Sequence, residues 1–236
     1  MQTTAASHNY PCQNCKVRDK AICSALTNEE LRELSKVTTE VQLAAEAAVF
    51  YEGDENTYLF NVVAGTIRLT KLLPDGRRQV TGFLFPGDFL GLSVGNTYVY
   101  TAEAVTEVSL CRFKRGNLVK MLDRFPNLEH RLLELASNEL VQAQTQLLLL
   151  GQKTATERVS SVLVGLMERI GRRGDDGIVI DLPMTRGDLA DYAGLRTETV
   201  SRCFTQLREE GVIDTLGKHG VNIRQPEKLA DLSGDQ

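Results

Sequence analysis

The amino-acid sequence predicts an α+β protein, because its apolar residues follow three different patterns in succession. Between Val41 and Phe113 the apolar runs are short and separated by turn residues, which is typical of antiparallel strands. From Pro126 to Gly151 they recur at spacings of three and four, as in a helix. From Thr185 to Ile223 two short helical patterns flank a glycine and precede a hairpin pattern. Together they predict an antiparallel β-roll of jelly-roll type, a long helix and a C-terminal winged helix-turn-helix.

Length and composition are those of an ordinary globular protein. The 236 residues suffice for two small domains, and no apolar run approaches the roughly 20 residues of a membrane span. Residues 1–25 lack the apolar core of a signal peptide, so we expect a cytoplasmic protein without a membrane partner. There is no phosphate-binding loop or H-E-x-x-H motif, and we expect no enzyme activity. We divide the chain into a cysteine-rich segment (1–27), a β-roll sensor (28–123), a dimerisation helix (124–155) and the winged domain (156–236).

The N-terminal segment is distinguished by its cysteines. Cys12 and Cys15 form a C-x2-C motif and Cys23 follows, whereas Cys111 and Cys203 lie far along the chain. In a cytosolic chain such a cluster is typical of metal binding rather than of disulfides. C-x2-C alone is a weak signal, and Cys111 taken alone could equally be a small buried hydrophobe.

The second segment is predicted to begin with a helix and to continue as the roll. Thr27 and Glu30 have the spacing of a capping box, which opens a helix extending to Val37. We predict strands at residues 49–51, 58–63, 67–73, 79–85, 98–104 and 107–113. A short helix, Arg115–Asp123, leads into the long one.

The long helix carries a narrow apolar stripe with the heptad spacing of a helix that needs a partner helix. The seam residues are Leu133, Ala136, Leu140, Ala143, Leu147 and Leu150. The opposite face is polar, with Glu129, Arg131, Glu139 and Gln142. A narrow stripe favours a dimer seam over the alternative, a core helix of one domain.

The last segment has the element order of a winged helix-turn-helix. We predict helices at 156–170, 185–192 and 197–210, a strand at 179–182, a hairpin at 212–223 and an irregular tail at 226–236. From Gln152 onward, twelve Lys and Arg stand against fourteen Asp and Glu, a net charge of −2. Any DNA binding must therefore come from a local patch rather than from a basic domain.

The predicted 197–210 helix has two different faces. Its apolar face comprises Val200, Cys203, Phe204 and Leu207. Glu198, Ser201 and Arg202 share the opposite face within the first turns, the part of a recognition helix that meets base edges. Arg202 can bind guanine O6 and N7, while Glu198 can accept from cytosine N4. The alternative is a surface ion pair between Glu198 and Arg202.

The stretch TRGDLADYAGLRTETVSR closely resembles the helix-turn-helix of the CRP/FNR superfamily of bacterial transcription regulators. The E-x-x-S-R spacing resembles the FNR branch, and the resemblance also covers AGTIRLTKLLPDGRRQVTGF, PGDFLGL and LLLLGQKTATER. It implies a cyclic-nucleotide-binding-like roll and a homodimer on double-stranded DNA with two inverted TTGAT half-sites. The resemblance implies that Glu198, Ser201 and Arg202 read the half-site. We also expect Thr197 and Thr199 to contact DNA, and Arg186 and Lys218 to bind phosphates. Arg196 departs from the Ser or Thr cap of many relatives, so we expect the helix to begin at Thr197.

Two kinds of effector follow differently from the resemblance. The cAMP-binding members carry an Arg-Ser pair after the PGDFLGL region, but no basic residue lies between Arg78 and Arg112 here. A buried phosphate would lack a charge partner, so we expect no cyclic nucleotide. The resemblance instead implies an oxygen-labile 4Fe–4S cluster, with Cys203 structural and with the ligands Cys12, Cys15, Cys23 and Cys111.

Alternatives to the cluster are zinc at the same thiols and another small molecule in the roll. Zinc sites more often include a second C-x2-C or paired histidines, but His8, His130 and His219 are scattered. By resemblance, the cluster orders a mobile N-terminal segment against the long helix, controls dimerisation and regulates genes for low-oxygen metabolism. The loop Leu73–Arg78 is implied as a surface for RNA polymerase.

Overall fold

The structure, a computed structural model, describes residues 11–217 and 219–234, except the side chains of Pro11 and Gln13. The chain divides into two compact units. Unit 1 runs to Ile67 and resumes over Leu84–Asn138, and unit 2 comprises Arg68–Phe83 and the chain from Glu139 onward. The helices are α1 (Asn28–Ser35), α2 (Arg115–Arg124), α3 (Pro126–Gln152), α4 (Ala155–Ile170), α5 (Arg186–Ala193), α6 (Thr197–Glu209) and α7 (Pro226–Ser233).

The twelve strands in the described residues are short, as the spacing of the turn residues predicts. They are β1 (Thr38–Leu43), β2 (Ala48–Phe50), β3 (Tyr58–Ala64), β4 (Ile67–Leu72), β5 (Arg78–Leu84), β6 (Phe89–Leu90), β7 (Thr101–Ala104), β8 (Val108–Lys114), β9 (Arg172–Arg173), β10 (Ile178–Asp181), β11 (Ile213–Leu216) and β12 (Gly220–Ile223). Two 3₁₀ helices, Pro11–Asn14 and Ile22–Ala25, belong to the cysteine segment.

Unit 1 is built on an antiparallel sheet of order β1-β8-β3-β6, and β2 pairs with β7 beside it. The cysteine segment, α1, α2 and the start of α3 share one hydrophobic core with this sheet. Its fully or nearly fully buried members include Ile22, Leu31, Leu34, Phe113, Leu118 and Leu128. The beginning of the long helix is therefore part of the same core as the segment that carries three cysteines.

Unit 2 has the predicted winged helix-turn-helix. Its sheet has the order β11-β12-β10-β9, with β11 and β12 as the wing, and β4 and β5 form a hairpin in the same unit. Gly194 turns the chain between α5 and α6 in the left-handed conformation, with φ 63°. A Cβ at Gly194 would approach Leu150 Cδ2 to 2.9 Å, so the turn requires glycine for both its conformation and its close contact.

Three helices begin with the same device. Thr27 and Glu30, Thr154 and Glu157, and Thr185 and Asp188 each form a reciprocal capping box, which confirms the predicted starts of α1 and α5. α6 begins at Thr197 as predicted, with Arg196 at the N-cap and no side-chain cap bond.

Two sequence predictions were wrong. Residues 226–236 were predicted to be an irregular tail, but Pro226–Ser233 form α7, which packs against α4 and buries Leu229 completely. Two turns of helix carry too little periodicity to be recognised without the surface that covers them. The strand predicted at 98–104 is limited to Thr101–Ala104, because Tyr98 turns its ring onto Phe50 with centroids 3.6 Å apart. β1, β6 and β9 were not predicted, since β6 and β9 are only two residues long and β1 is a largely polar edge strand.

None of the helices among residues 11–217 and 219–234 is long and apolar enough to cross a membrane.

Candidate functional site

Four cysteines from distant parts of the sequence interact electrostatically in unit 1. Cys12, Cys15 and Cys23 belong to the N-terminal segment, and Cys111 lies on β8, the second strand of the sheet. All four are free and half-buried, whereas Cys203 is buried in unit 2. The register places Cys111 between Glu40 of β1 and Asn61 of β3. The sheet therefore supplies one thiol and the segment packed on it supplies the other three.

The electrostatics of the four thiols are coupled. Burial, followed by the neighbouring thiolates, raises the pKa of Cys23 to about 11 and that of Cys111 to about 12. Burial also raises the pKa of Cys12, although a hydrogen bond with the Thr38 side chain opposes this. Thiols with such pKa values hold their protons at neutral pH. A group that binds them must therefore supply positive charge in place of those protons.

The four thiols are soft ligands of the kind taken by zinc and by iron–sulfur clusters. Within the described part of the chain, no three His, Cys, Asp or Glu side chains are grouped closely enough to hold a single metal ion. A tetrahedral zinc site with Zn–S bonds of about 2.3 Å needs its sulfurs only about 3.8 Å apart. A cubane iron–sulfur cluster takes each thiolate on a different iron and so spreads its ligands more widely.

The predicted reading face of α6 is exposed, and its predicted core face is buried. Val200, Cys203, Phe204 and Leu207 are the buried residues, as their spacing predicts. Glu198, Ser201 and Arg202 are exposed together with Thr197, and Thr199 is half-buried. Ser201 donates its hydroxyl to the Thr197 carbonyl at 2.9 Å. In the described structure no hydrogen bond or ion pair joins Glu198 to Arg202, so the alternative of a surface pair gains no support.

The two predicted phosphate-contacting residues have different outcomes. The Arg186 guanidinium lies over the Phe204 ring, 3.3 Å from its centroid, at the start of α5. This contact links the first helix of the motif to the recognition helix, and the phosphate contact stays a prediction. Lys218, on the wing, lies outside the described residues.

Unit 2 also contains a charged contact that sequence patterns missed. Arg68 of β4 donates to Asp188 Oδ1 at 2.7 Å, and both side chains are almost completely buried. Arg78 of β5 binds Asp188 at 3.0 Å and Asp191 at 2.5 Å. Asp188 also closes the α5 capping box, so the β4–β5 hairpin holds the helix that supports the recognition helix. No local pattern relates an arginine of a hairpin to a helix more than a hundred residues later.

The predicted dimer seam is exposed over most of its length. Leu133, Leu140 and Leu147 are 64%, 60% and 71% exposed. Ala136 and Ala143 are also exposed, whereas Leu150 is half-buried and lies near Gly194 of its own chain. A leucine row left uncovered on a 27-residue helix is typical of an interface with another helix. The alternative of a core helix holds only where the helix meets its own chain, as at Leu128 and Leu149.

One stretch has the letters of a serine-hydrolase motif without its structure. Gly91-Leu-Ser-Val-Gly95 matches G-x-S-x-G, which in hydrolases places the serine on a turn between a strand and a helix. Here it follows β6 in a loop that no helix continues. The Ser93 hydroxyl donates to the Thr97 carbonyl at 2.9 Å, and Arg115 donates to the Ser93 carbonyl. These contacts close a loop and provide no activating base.

Comparisons with known proteins agree with this architecture. Family models for a Crp-like helix-turn-helix domain and a cyclic nucleotide-binding domain match residues 157–232 and 40–125. The nitrogen fixation regulation protein FixK of Bradyrhizobium diazoefficiens is 39% identical over 222 residues, covering 94% of this chain and 93% of that protein. The transcriptional activator protein FnrL of Cereibacter sphaeroides is 36% identical over 230 residues, covering 96% and 93%. The structure of FixK2 from Bradyrhizobium japonicum superposes with a TM-score of 0.78 at 35% identity, covering 83% of this chain and 97% of that one.

Proposed function

The chain belongs to the CRP/FNR family of transcription regulators, and we propose that it is an oxygen-responsive member with a 4Fe–4S cluster at Cys12, Cys15, Cys23 and Cys111. Regulators of this family bind DNA and form homodimers, and they are not enzymes. The single observation that carries the proposal is that the four thiols interact electrostatically while Cys12, Cys23 and Cys111 pack against the same hydrophobic core.

Each ligand has a defined support in the chain. Cys111 is fixed by β8, between two hydrogen-bonded neighbour strands. Cys23 is the second residue of the 3₁₀ turn that begins at the fully buried Ile22, and its carbonyl accepts from Leu26 N at 3.2 Å. A bound cluster supplies a redox-active iron centre whose loss removes the charge compensation of four thiolates. The apolar residues around the thiols, Ile22 among them, limit the access of solvent and oxygen.

We infer that the cysteine segment affects the dimer through the hydrophobic core that it shares with α3. Ile22 beside Cys23 and Leu128 near the start of α3 are members of one buried cluster. Ordering the cysteine segment therefore adds packing to the first turns of the helix whose later turns carry the exposed seam. Cluster loss weakens that packing, and with it the dimer that reads two half-sites together.

The reading face supports a TTGAT-type inverted repeat as the DNA target. Arg202 on guanine and Glu198 on cytosine supply the base discrimination, with Ser201, Thr197 and Thr199 beside them. Arg186 and Lys218 would bind phosphates and set the register. Leu72 and Leu73, exposed at the tip of the β4–β5 hairpin, adjoin the loop Leu73–Arg78 that we propose as the RNA polymerase contact. The regulated genes would be those of low-oxygen metabolism.

A cyclic nucleotide is not part of the proposal, although the family model for the roll carries that name. The stretch between Arg78 and Arg112 contains no cationic side chain to neutralise a cyclic phosphate. Zinc at the same thiols is not favoured, because zinc sites more often include a second C-x2-C or paired histidines, and the three histidines of this chain are scattered.

The test is the iron and sulfide content of protein purified without oxygen. We expect about four of each per chain, with broad visible absorption that air bleaches. Each Cys→Ser change at positions 12, 15, 23 and 111 should remove or destabilise the chromophore, and Cys203→Ser is the matched control that should keep it. Zinc instead of iron in the wild type, or normal iron in Cys111→Ser, would reject the proposal.

A further inference from the structure

We propose that Arg131 of α3 is the positioning residue that transmits the state of the cysteine segment to the dimer seam. This inference rests on the proposed function in taking the cysteine segment as the sensor. Arg131 Nη2 donates to the carbonyl of Lys20 at 3.0 Å, across 111 positions of sequence. The helical pattern assigned Arg131 to the polar back face, but its side chain is only 25% exposed and turns toward its own chain.

The Lys20 carbonyl is held by the loop between Cys15 and Cys23. Lys20 N and Ala21 N both donate to the Val17 carbonyl, which makes this loop a tight turn. Its far end is anchored where Ile22 N donates to Asn61 Oδ1 at 3.4 Å, and Asn61 is a buried residue of β3. The Lys20 carbonyl therefore lies in this position only when the turn is packed against the sheet.

Lys20 packs closely against Gly87. Gly87 has φ +106°, and a Cβ there would come within 2.7 Å of Lys20 Cβ. Asn61 Nδ2 donates to the Gly87 carbonyl at 3.4 Å, so the Asn61 side-chain amide holds both Ile22 and Gly87 in place. A loop that packs this closely has a single position against the sheet. Displacement of the cysteines at its two ends therefore also displaces the Lys20 carbonyl.

Apart from the bond to Lys20, the Arg131 guanidinium has few contacts that stabilise its partly buried position. Nη1 donates to Glu134 Oε2 at 2.9 Å, and this bond is the first cause that lowers the pKa of Glu134. Nε is buried and has no hydrogen-bond partner in the described structure. A guanidinium with an unpaired buried donor is costly to keep inside, so the bond to Lys20 is what makes the inward position favourable. When the loop is displaced, the guanidinium forms more hydrogen bonds in water than in its partly buried position.

Helix geometry carries the effect to the seam. Two residues turn an α-helix by about 200°, so Arg131 and Leu133 lie on nearly opposite faces. Arg131 faces the cysteine segment while Leu133 is exposed at the beginning of the seam. Fixing Arg131 thus fixes the rotation of α3 about its axis and directs the leucine row away from its own chain. Releasing Arg131 leaves the apolar contacts of Leu128, Leu132 and Leu135 with the core as less directional restraints.

The experiment compares dimer dissociation constants with and without the cluster in wild type, Arg131→Met, Arg131→Lys and the control Arg124→Met. Met keeps an unbranched apolar stem, although a shorter one, and removes every donor, and Lys restores a charged donor that can reach a carbonyl. Arg124 is an exposed arginine at the end of α2. Sedimentation gives the constants, and iron and sulfide analysis gives the cluster content independently.

We expect normal iron in all four proteins. Arg131→Met should weaken the cluster-loaded dimer about tenfold or more, to the level of the cluster-free wild type, and leave the cluster-free constant unchanged. Arg131→Lys should restore part of the difference, and Arg124→Met should behave as wild type. A merely structural role would weaken both states equally.

Several outcomes would overturn the inference. They are equal dimer constants with and without the cluster in wild type, an unchanged difference in Arg131→Met, or equal weakening of both states. Loss of iron in Arg131→Met would place the residue in the metal site instead. Iron-free wild type would reject the proposed function itself, and this inference with it.

Discussion

The cysteine site and the recognition helix are two functional regions built by opposite means. The four thiols come from two segments almost a hundred residues apart, are half-buried, and have pKa values raised by burial. The reading residues lie within six positions of one helix and are mostly exposed. A buried charged group needs ligands from several directions, which only tertiary folding supplies. A reader of a groove needs one face of one helix, which a local repeat supplies.

The largest effect we predict breaks the link between the two regions. Leu140→Glu or Leu147→Glu places a charge on the exposed seam, where a dimer would bury it without a partner at a cost of several kcal/mol. Both variants should sediment as monomers and lose high-affinity binding to an inverted repeat, while their iron content stays normal. Gln142→Glu, which adds the same charge on the polar face, is the control. A dimer that persists in both leucine variants would place the interface elsewhere.

The reading face should respond to single substitutions by a smaller amount. Arg202→Ala should cost about 1–3 kcal/mol on a TTGAT-type site, because a bidentate contact to guanine is lost. Discrimination at that G·C pair should relax, which competition titrations with base-substituted sites would measure. Arg208→Ala in the last turn of α6 is the matched control and should leave discrimination intact. Equal weakening on all sequences would show that Arg202 binds backbone rather than base.

Cys203 sharpens the contrast between a cysteine that binds a group and one that packs. Cys203→Ser places a hydroxyl among Val200 and Phe204, with Thr156 Oγ1 the polar neighbour at 3.9 Å from Sγ. We expect a loss of about 1 kcal/mol in the free energy of unfolding, near the lower end for a buried hydroxyl. Denaturant titration of metal-free protein measures this loss. A variant that unfolds normally but no longer discriminates DNA sequences would give Cys203 a role in reading.

The smallest effect concerns pH and the support of the recognition helix. Desolvation raises the pKa of Asp188, but hydrogen bonds from Thr185 and the charge of Arg68 outweigh it and lower the pKa overall. A lowered pKa contributes stability that is complete above the unfolded value of about 3.9 and is lost as pH falls through the folded value. Between pH 7 and about 5 the contribution should be constant, and below about pH 5 it should decrease by at most about 1.4 kcal/mol per pH unit.

Denaturant midpoints of metal-free protein across this range test the assignment. Asp188→Asn keeps an acceptor for the α5 cap. It should have a smaller free energy of unfolding at pH 7, and that free energy should lack the decrease at acid pH that Asp188 causes. Asp75→Asn, in the exposed hairpin turn, should keep the wild-type slope. An unchanged slope in Asp188→Asn would assign the acid sensitivity to other carboxylates.

The sequence predicted elements well where one period persists or a cap announces a start. α3 extends over Pro126–Gln152 because its leucines recur through seven turns, and Thr185 with Asp188 opens α5 where the capping box indicates. It failed at α7, whose two turns are stabilised by burying Leu229 against α4. It also did not show that Arg131 of the polar face contacts the cysteine segment, since a pattern tells which residues share a face but not what that face contacts.

By itself, the sequence determined the architecture, the two faces of α6 and the seam of α3, because helical and strand periods are local and repeat within a few residues. The resemblance to a known family had already grouped Cys111 with the N-terminal thiols, but tertiary structure alone decided that Arg68 and Arg78 hold Asp188 and that Arg131 reaches the carbonyl of Lys20. These contacts join residues more than a hundred positions apart. Their formation depends on strand register and core packing, which set angles and distances that no spacing along the chain encodes.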